Sequence, residues 1–489
     1  MANFDQPGDP ESFLRALLRR DFCSFLRKAY PYISGGEEMM WNWHLEAIAY
    51  ELERVAKGDN LRLLVTLPPM NGTSKTITVI WVAWMLGKDP RRNFVCVSYS
   101  NDLSAKLARD CLAIMQAHWY RELFPNTIIS TKRFAATDFE TTAGGGRLAT
   151  SVTGTLTGRG GDVVILDDVI KPEEANSETT RNFVNGWYQS TLASRLNDKA
   201  SGAIITVMQR LHEQDIAGML IATGNWHQLK LPAIATEDQD ILLPRGRIHR
   251  RRFGDILHPA REPLHVLDDL KASMGSHAFV AQYQQEPVPI QGDFVDPAWF
   301  RYYDEAPTGG LICQSWDTAS KTGVSSDFSV GITARYFQKR YYILDVYRER
   351  VDFVKLRARL SSLCQQHSVG RLLIEDASSG QQMLQLLRHE RPHWVPLPLA
   401  CKPEGDKISR FAAQASRVEA GEVVLPRGAP WLADFITEII GFPNAGHDDQ
   451  ADALAQLLGH SPREEPLGIA GPILHEIPYS ESLDFGFRY

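Results

Sequence analysis

The stretch Leu61–Thr76, LRLLVTLPPMNGTSKT, decides how the first half of the chain is read. The apolar run Leu63-Leu64-Val65 passes through Thr66 and Leu67 into Pro68-Pro69. A turn of Gly, Ser and Thr follows, and then the apolar run Ile77–Leu86. Strand, tight loop, helix is the layout of a loop that cradles phosphates, because backbone N–H groups and a helix N-terminus point at the anion. The usual pattern G-x-x-x-x-G-K-[ST] is matched badly. With Lys75-Thr76 as its last pair, Pro69 stands at the first glycine and Ser74 at the second.

Outward from this loop, short apolar runs (Phe94–Val97, Val163–Leu166, Ala203–Val207) alternate with helix-like segments such as Asp102–Ala117 and Ser177–Leu196. That alternation predicts a largely parallel sheet with helices on both faces. Val163–Leu166 ends in Asp167-Asp168. In a nucleotide site of this layout the first acid holds Mg2+ and the second polarises the attacking water, which gives Asp167 and Asp168 their expected roles. Arg159, in Gly158-Arg159-Gly160-Gly161, either stabilises phosphoryl charge in a neighbouring subunit or pairs with a local acid. Gln209, at the end of the next strand, is placed to sense a γ-phosphate. Pro69, Asn71, Gly72, Thr73, Ser74, Lys75 and Thr76 complete the expected site for ATP and Mg2+.

A second alternating unit follows: Gly310–Trp316, Ser329–Arg335, Arg340–Val346, the helix Phe353–Gln366, Arg371–Ile374, and helices near Gln381–Arg388 and Asp449–Leu458. Asp317 ends its first strand, Asp327 begins the next, and Glu375-Asp376 ends Arg371–Ile374. Asp448 and Asp449, in His447-Asp448-Asp449-Gln450-Ala451-Asp452, open the last helix. Carboxylates at strand ends and a helix start converge on one pole of a sheet. Hard oxygen donors of this kind suit Mg2+ or Mn2+, and two such ions can activate water against a phosphodiester. This is the logic of an RNase H-like nuclease.

The bulk properties bound these readings. At 489 residues the chain needs two or three domains. A net charge of −7 excludes a surface coated in basic residues but leaves room for a local phosphate-gripping groove. The six cysteines are scattered without a CxxC pair and read as reduced, buried thiols. No apolar run reaches the roughly 18 residues of a membrane span, and MANFDQPGDPE is no signal peptide, so a soluble intracellular protein is expected. Helices are predicted over Glu11–Lys28 and Trp41–Val55. Residues 236–300, rich in proline and carrying Arg245, Arg247, Arg250, Arg251 and Arg252, read as a linker. The tail after 462 reads as extended.

Several segments, in order from about residue 40 to 460, resemble the large terminase subunit of tailed double-stranded DNA phages and prophages. They are Val97-Ser98-Tyr99-Ser100 with Asp102-Leu103, Gly154-Thr155-Leu156-Thr157-Gly158-Arg159-Gly160 before Asp167-Asp168, and Val207-Met208-Gln209-Arg210-Leu211-His212-Glu213. Gln282-Tyr283-Gln284-Gln285-Glu286-Pro287, Ser315-Trp316-Asp317 with Ser326-Asp327, Ile374-Glu375-Asp376 with Ser379-Gly380, and His447-Asp448-Asp449 complete the set. The resemblance implies an α/β chain with a helical segment at 1–55, a P-loop ATPase domain at 56–235, the linker at 236–300, an RNase H-like nuclease domain at 301–462 and a tail at 463–489. It implies ATP-driven packaging of double-stranded DNA in the host cytoplasm and metal-dependent endonucleolytic cutting. The implied partners are DNA, the portal protein, a small terminase subunit, and further copies of the chain in a ring, with no membrane. Asp167 would hold Mg2+·ATP, Asp168 would be the catalytic acid, and Arg159 the arginine acting across subunits. Asp317, Glu375 and Asp448 or Asp449 would hold the nuclease metals, with Asp327 auxiliary and Lys402 and Lys407 near the cut strand. Family members read P-P-R-x-G-K-S at the loop. Keeping Pro68-Pro69 in that register puts Met70 and Thr73 where the two cations stand and makes Ser74 the Mg2+-side hydroxyl. The other register restores Lys75-Thr76 but shifts the loop by two residues.

Overall fold

The computed structural model describes residues 10–462 except 155, 157, 289–293, 320–327, 404 and 446. The helix expected over Glu11–Lys28 is two helices, Pro10–Arg20 and Phe22–Ile33. Asp21 makes the break: its extended backbone leaves the first helix and its carboxylate caps the second, accepting from the Ser24 N–H at 2.8 Å. A third helix, Trp43–Lys57, ends at Gly58, whose left-handed φ of 83° lets its N–H reach back to the last carbonyls.

The next unit is an eight-stranded sheet: β1 (Arg62–Thr66), β2 (Asn93–Ser98), β3 (Ile129–Ala135), β4 (Asp138–Thr141), β5 (Gly146–Ser151), β6 (Val163–Asp167), β7 (Ala203–Met208) and β8 (His227–Lys230). Their order is β3-β4-β5-β2-β6-β7-β1-β8, parallel from β5 through β8 and antiparallel at the β3–β4–β5 edge. The parallel strands are buried on both faces, which is why they read as continuous apolar runs. Leu63, Val65, Cys96, Val163, Ile165 and Ile205 face one core, and Leu64, Val95, Val97, Val164, Leu166 and Ile204 the other. The ends of β1, β6 and β7 are level, so Thr66, Asp167 and Met208 lie at one pole, where ligands of such sheets bind.

The loop after β1 is held from beneath by His44. Its Nε2–H donates to the Asn71 carbonyl at 3.2 Å, and its Nδ1 accepts from Asn42 at 2.7 Å. Burial pushes this histidine down to about 4, with the Asn71 carbonyl opposing.

The segment expected as a linker is structured. It contains a hairpin of β9 (Gln239–Leu243) and β10 (Arg247–Arg251) and helices Leu264–Met274 and Ser276–Gln282. Its arginines are each engaged: Arg245 with Asp21, Arg247 with Glu46, Arg250 with Asp240 and Arg252 with Asp238, while Arg251 is buried and donates to the Pro232 and Asp255 carbonyls.

The second sheet has β11 (Arg301–Tyr303), β12 (Leu311–Asp317), β13 (Ser329–Phe337), β14 (Arg340–Glu349), β15 (Arg371–Glu375), β16 (Leu399–Cys401) and β17 (Val423–Pro426), ordered β11-β17-β14-β13-β12-β15-β16. β12, β13 and β14 form an antiparallel meander, and β15 and β16 run parallel to β12. Gly331 is required beneath Trp316: a Cβ there would stand 2.7 Å from the indole ring. Helix Asp449–Gly459 lies across β12 and β13, tied by Gln456, which donates to Ser315 Oγ at 3.0 Å. The six cysteines are free, and no helix among the described residues is long and apolar enough to cross a membrane.

Two measurements check this packing. Asp215 caps helix Ile216–Ala222 through the Gly218 N–H at 2.8 Å and pairs with buried Arg210 at 3.0 Å. Removing one partner of a buried pair costs about 3–5 kcal/mol, so Asp215→Ala should lose that much in urea unfolding. For His44 the folded pKa lies below the unfolded 6.5, so the unfolded chain binds the proton more tightly. Stability is therefore lost as pH falls from about 6.5 towards 4. Between pH 7.5 and 5, wild type should lose about 2 kcal/mol more than His44→Gln.

Candidate functional site

At the pole of the first sheet, the loop from Pro68 turns through Met70 and Gly72, with φ of 62° and 78°, into a helix that begins at Lys75. Ser74 and Thr78, four residues apart, share one helix face. Ser74 Oγ donates to Asp167 Oδ1 at 2.8 Å and Thr78 Oγ1 to Asp167 Oδ2 at 2.6 Å. Asp167 is 1 % exposed. Burial raises its carboxyl above the ordinary range, and the two hydroxyls and the charge of Arg147 oppose that rise. Thr78 and Arg147 were not among the expected residues. Arg147 is itself buried, on β5, among the apolar residues of the same sheet.

The structure corrects the expectation for Lys75 and Thr76. Lys75 is next on the helix and points elsewhere, its Nζ 4.8 Å from the centre of the Tyr30 ring. Thr76 is buried and its hydroxyl donates to the Gly72 carbonyl at 2.8 Å. The loop hydroxyl that meets the acid is that of Ser74. Asn71 is buried, its amide donating to the Pro68 and Pro69 carbonyls.

Asp168 has φ of 47° and is fixed through its backbone, its N–H donating to Val207 O and its carbonyl accepting from Tyr99 N, both at 3.0 Å. Burial, then the neighbouring Asp167 charge, push its carboxyl up to about 7, against the Gln209 N–H. A carboxyl poised near neutrality can take or give a proton at working pH. Gln209 Oε1 is buried without a hydrogen-bond partner at the end of β7. A hydroxyl-bound acid beside a helix start fits a magnesium-bound phosphate, and the open Gln209 carbonyl oxygen can accept from a water there. Arg159, left between two roles by its sequence, is paired within its own chain: it grips Asp138 with two hydrogen bonds of 2.7 and 2.9 Å.

At the pole of the second sheet, Asp317 and Glu375 end neighbouring parallel strands whose preceding residues, Trp316 and Ile374, are in register. Asp452 lies one turn into helix Asp449–Gly459. Burial, then the charges of Glu375 and Asp452, hold the Asp317 carboxyl well above its ordinary range. Asp452 lines the same cavity as Asp317 and Glu375. Asp449 is buried and accepts from the Phe328 N–H at 3.3 Å, towards the start of β13. Asp448 pairs with Lys407 at 2.8 Å. Asp327 lies outside the described residues.

Helix Lys407–Glu419 brings cations to the acids. Lys407 is 2.8 Å from Asp452 Oδ2, and Arg410 is 2.9 Å from Asp452 Oδ1 and 3.8 Å from Glu375. A cavity of about 710 Å3 opens on Asp317, Glu375, Asp452 and Lys402, and Lys171, Glu173 and Glu174 of the first unit form part of its wall. Among the described residues no three potential ligands already enclose one ion position. The donor chemistry, three carboxylates whose mutual repulsion a cation relieves, fits a hard divalent ion.

Residues 314–460 match the family model described as the terminase RNaseH-like domain. No curated protein matches the chain. Among solved structures, the large terminase of a thermophilic bacteriophage in complex with ADP is 10% identical. That match covers 84% of this chain and 98% of that one, with a TM-score of 0.49. The HK97 bacteriophage large terminase is 11% identical over 90% and 99%, with a TM-score of 0.37. The zinc-bound terminase nuclease of the thermophilic phage G20c is 18% identical over 32% and 92%, with a TM-score of 0.23. Residues 314–460 are therefore similar to the terminase RNaseH-like domain.

Proposed function

We propose that the chain packages double-stranded DNA into a phage procapsid by hydrolysing ATP at the first pole and cuts concatemeric DNA at the second. The observation that supports this most is the convergence of Asp317, Glu375 and Asp452 within the matched domain. Held by these three carboxylates, divalent ions would activate water and stabilise the leaving oxygen of the phosphodiester. Lys402, in the cavity wall, supplies positive charge to the DNA backbone. The work is placed in the host cytoplasm, on a ring of copies docked at the portal and guided by a small terminase subunit.

At the first pole, Asp167 and Ser74 would hold Mg2+·ATP, and Asp168 would orient the attacking water and take its proton. Thr73 at the lysine position leaves the loop without its usual cation, which favours a second reading: a terminase whose motor is slow while its nuclease is intact. A charge-assisted contact to phosphate is among the stronger hydrogen bonds, so its absence should lower turnover rather than abolish the fold.

Binding of a fluorescent ATP analogue with Mg2+ separates the two loop registers. Ser74→Ala should weaken it by about ten-fold or more, as expected for a lost hydrogen bond to a charged group, and Lys75→Ala should leave it nearly unchanged. The reverse ranking would return Lys75 to the phosphates. Single-turnover hydrolysis raised by Thr73→Lys would identify the slow motor. Mn2+-dependent plasmid cleavage should fall in Asp317→Asn by more than about 100-fold, the upper range for losing an outer-sphere partner. Cleavage that survives this change would remove the assignment.

A further inference from the structure

Asp452 is held at both of its oxygens by cations of the protein itself. Lys407 Nζ lies 2.8 Å from Oδ2 and Arg410 NH2 2.9 Å from Oδ1, and Lys407 is also 2.8 Å from Asp448 Oδ1. Lys407 is the first residue of its helix, after the cap Asp406, which accepts from the Ser409 N–H at 2.8 Å. A cation at that end meets the positive pole of the helix dipole, so the two carboxylates are what hold it there.

The two cations differ in their freedom. Arg410 is wedged between Asp452 and Glu375. Lys407 is half-exposed and borders a separate cavity of about 370 Å3 lined by Glu178, Asp406 and Asp448. An ammonium leaving Asp452 thus has room beside it and carboxylates to meet, with Asp448 already in contact.

We propose that Lys407 is an internal competitor for the metal: it occupies Asp452 in place of a divalent ion, and an ion binds at Asp317, Glu375 and Asp452 by displacing the Lys407 ammonium towards Asp448 and the smaller cavity. The inference rests on the reading of those three acids as a metal site. It makes Lys407 a positioning residue that sets metal affinity, and it makes metal loading sensitive to helix Lys407–Glu419. A helix of the first unit begins at the far wall of that smaller cavity, with Ser177 as its cap and Glu178 as its first residue.

The test is Mn2+ binding to the full chain by calorimetry. Lys407→Gln should bind at least about ten-fold more tightly than wild type, and Lys407→Arg should stay within about three-fold of it. Equal or weaker binding by Lys407→Gln overturns the proposal. If the wild type and both variants bind equally and Asp317→Asn loses binding, the metal site stands and the competitor falls. If none of them binds Mn2+, both fall. A second measurement needs no variant: amine labelling of Lys407 in wild type, read by peptide mass spectrometry, should rise several-fold on Mn2+ saturation. Labelling that stays unchanged while Mn2+ binds also overturns it.

Discussion

Asp167 and Asp317 both leave a sheet at the end of a buried strand, and a buried carboxylate has to be met by donors or cations or else take up a proton. The chain meets them differently. At Asp167 the donors are neutral: the hydroxyls of Ser74 and Thr78, presented by one face of the helix that follows the loop. At Asp317 the acids are gathered together, and the compensating charge arrives from Lys407 and Arg410 on a separate helix. Much of the local architecture serves these meetings. His44 props the loop, and Gln456 fixes the helix that carries Asp452 against β12.

The difference suits the chemistry proposed for each pole. Neutral hydroxyls leave the charge of Asp167 available to magnesium. Gathered acids with two cations beside them make a site whose charge is partly offset before any metal arrives. Lys171, Glu173 and Glu174, which follow Asp167-Asp168 closely in sequence, also help to wall the nuclease cavity. The segment that leaves one pole therefore borders the other.

The strand-end acids Asp167, Asp168 and Glu375 were legible because they close the apolar runs of buried parallel strands, so a terminal carboxylate stands out. The loop register was not legible. Ser74-Lys75-Thr76 offers three polar side chains in a row, and only the helix phase decides that Ser74 and Thr78 share the face towards Asp167. Asp452 stands one turn beyond the more conspicuous acid pair Asp448-Asp449 at the helix start. Which turn faces Asp317 depends on how the helix crosses β12 and β13, and that is a tertiary fact. Helix Lys407–Glu419 was legible too, since Ile408, Phe411, Ala412, Ala415 and Val418 keep a helical apolar period. The arginines at 245–252 read as part of a linker because two of their partners, Asp21 and Glu46, lie some 200 residues away in sequence.

Which acids face one another at the second pole decides what that pole can do. Metal-dependent DNA cleavage by Asp452→Asn and Asp448→Asn, compared side by side with both proteins shown to be folded, tests it most directly. Cleavage lost in Asp452→Asn to the level of Asp317→Asn and retained in Asp448→Asn is the predicted result. Cleavage retained in Asp452→Asn and lost in Asp448→Asn would contradict it.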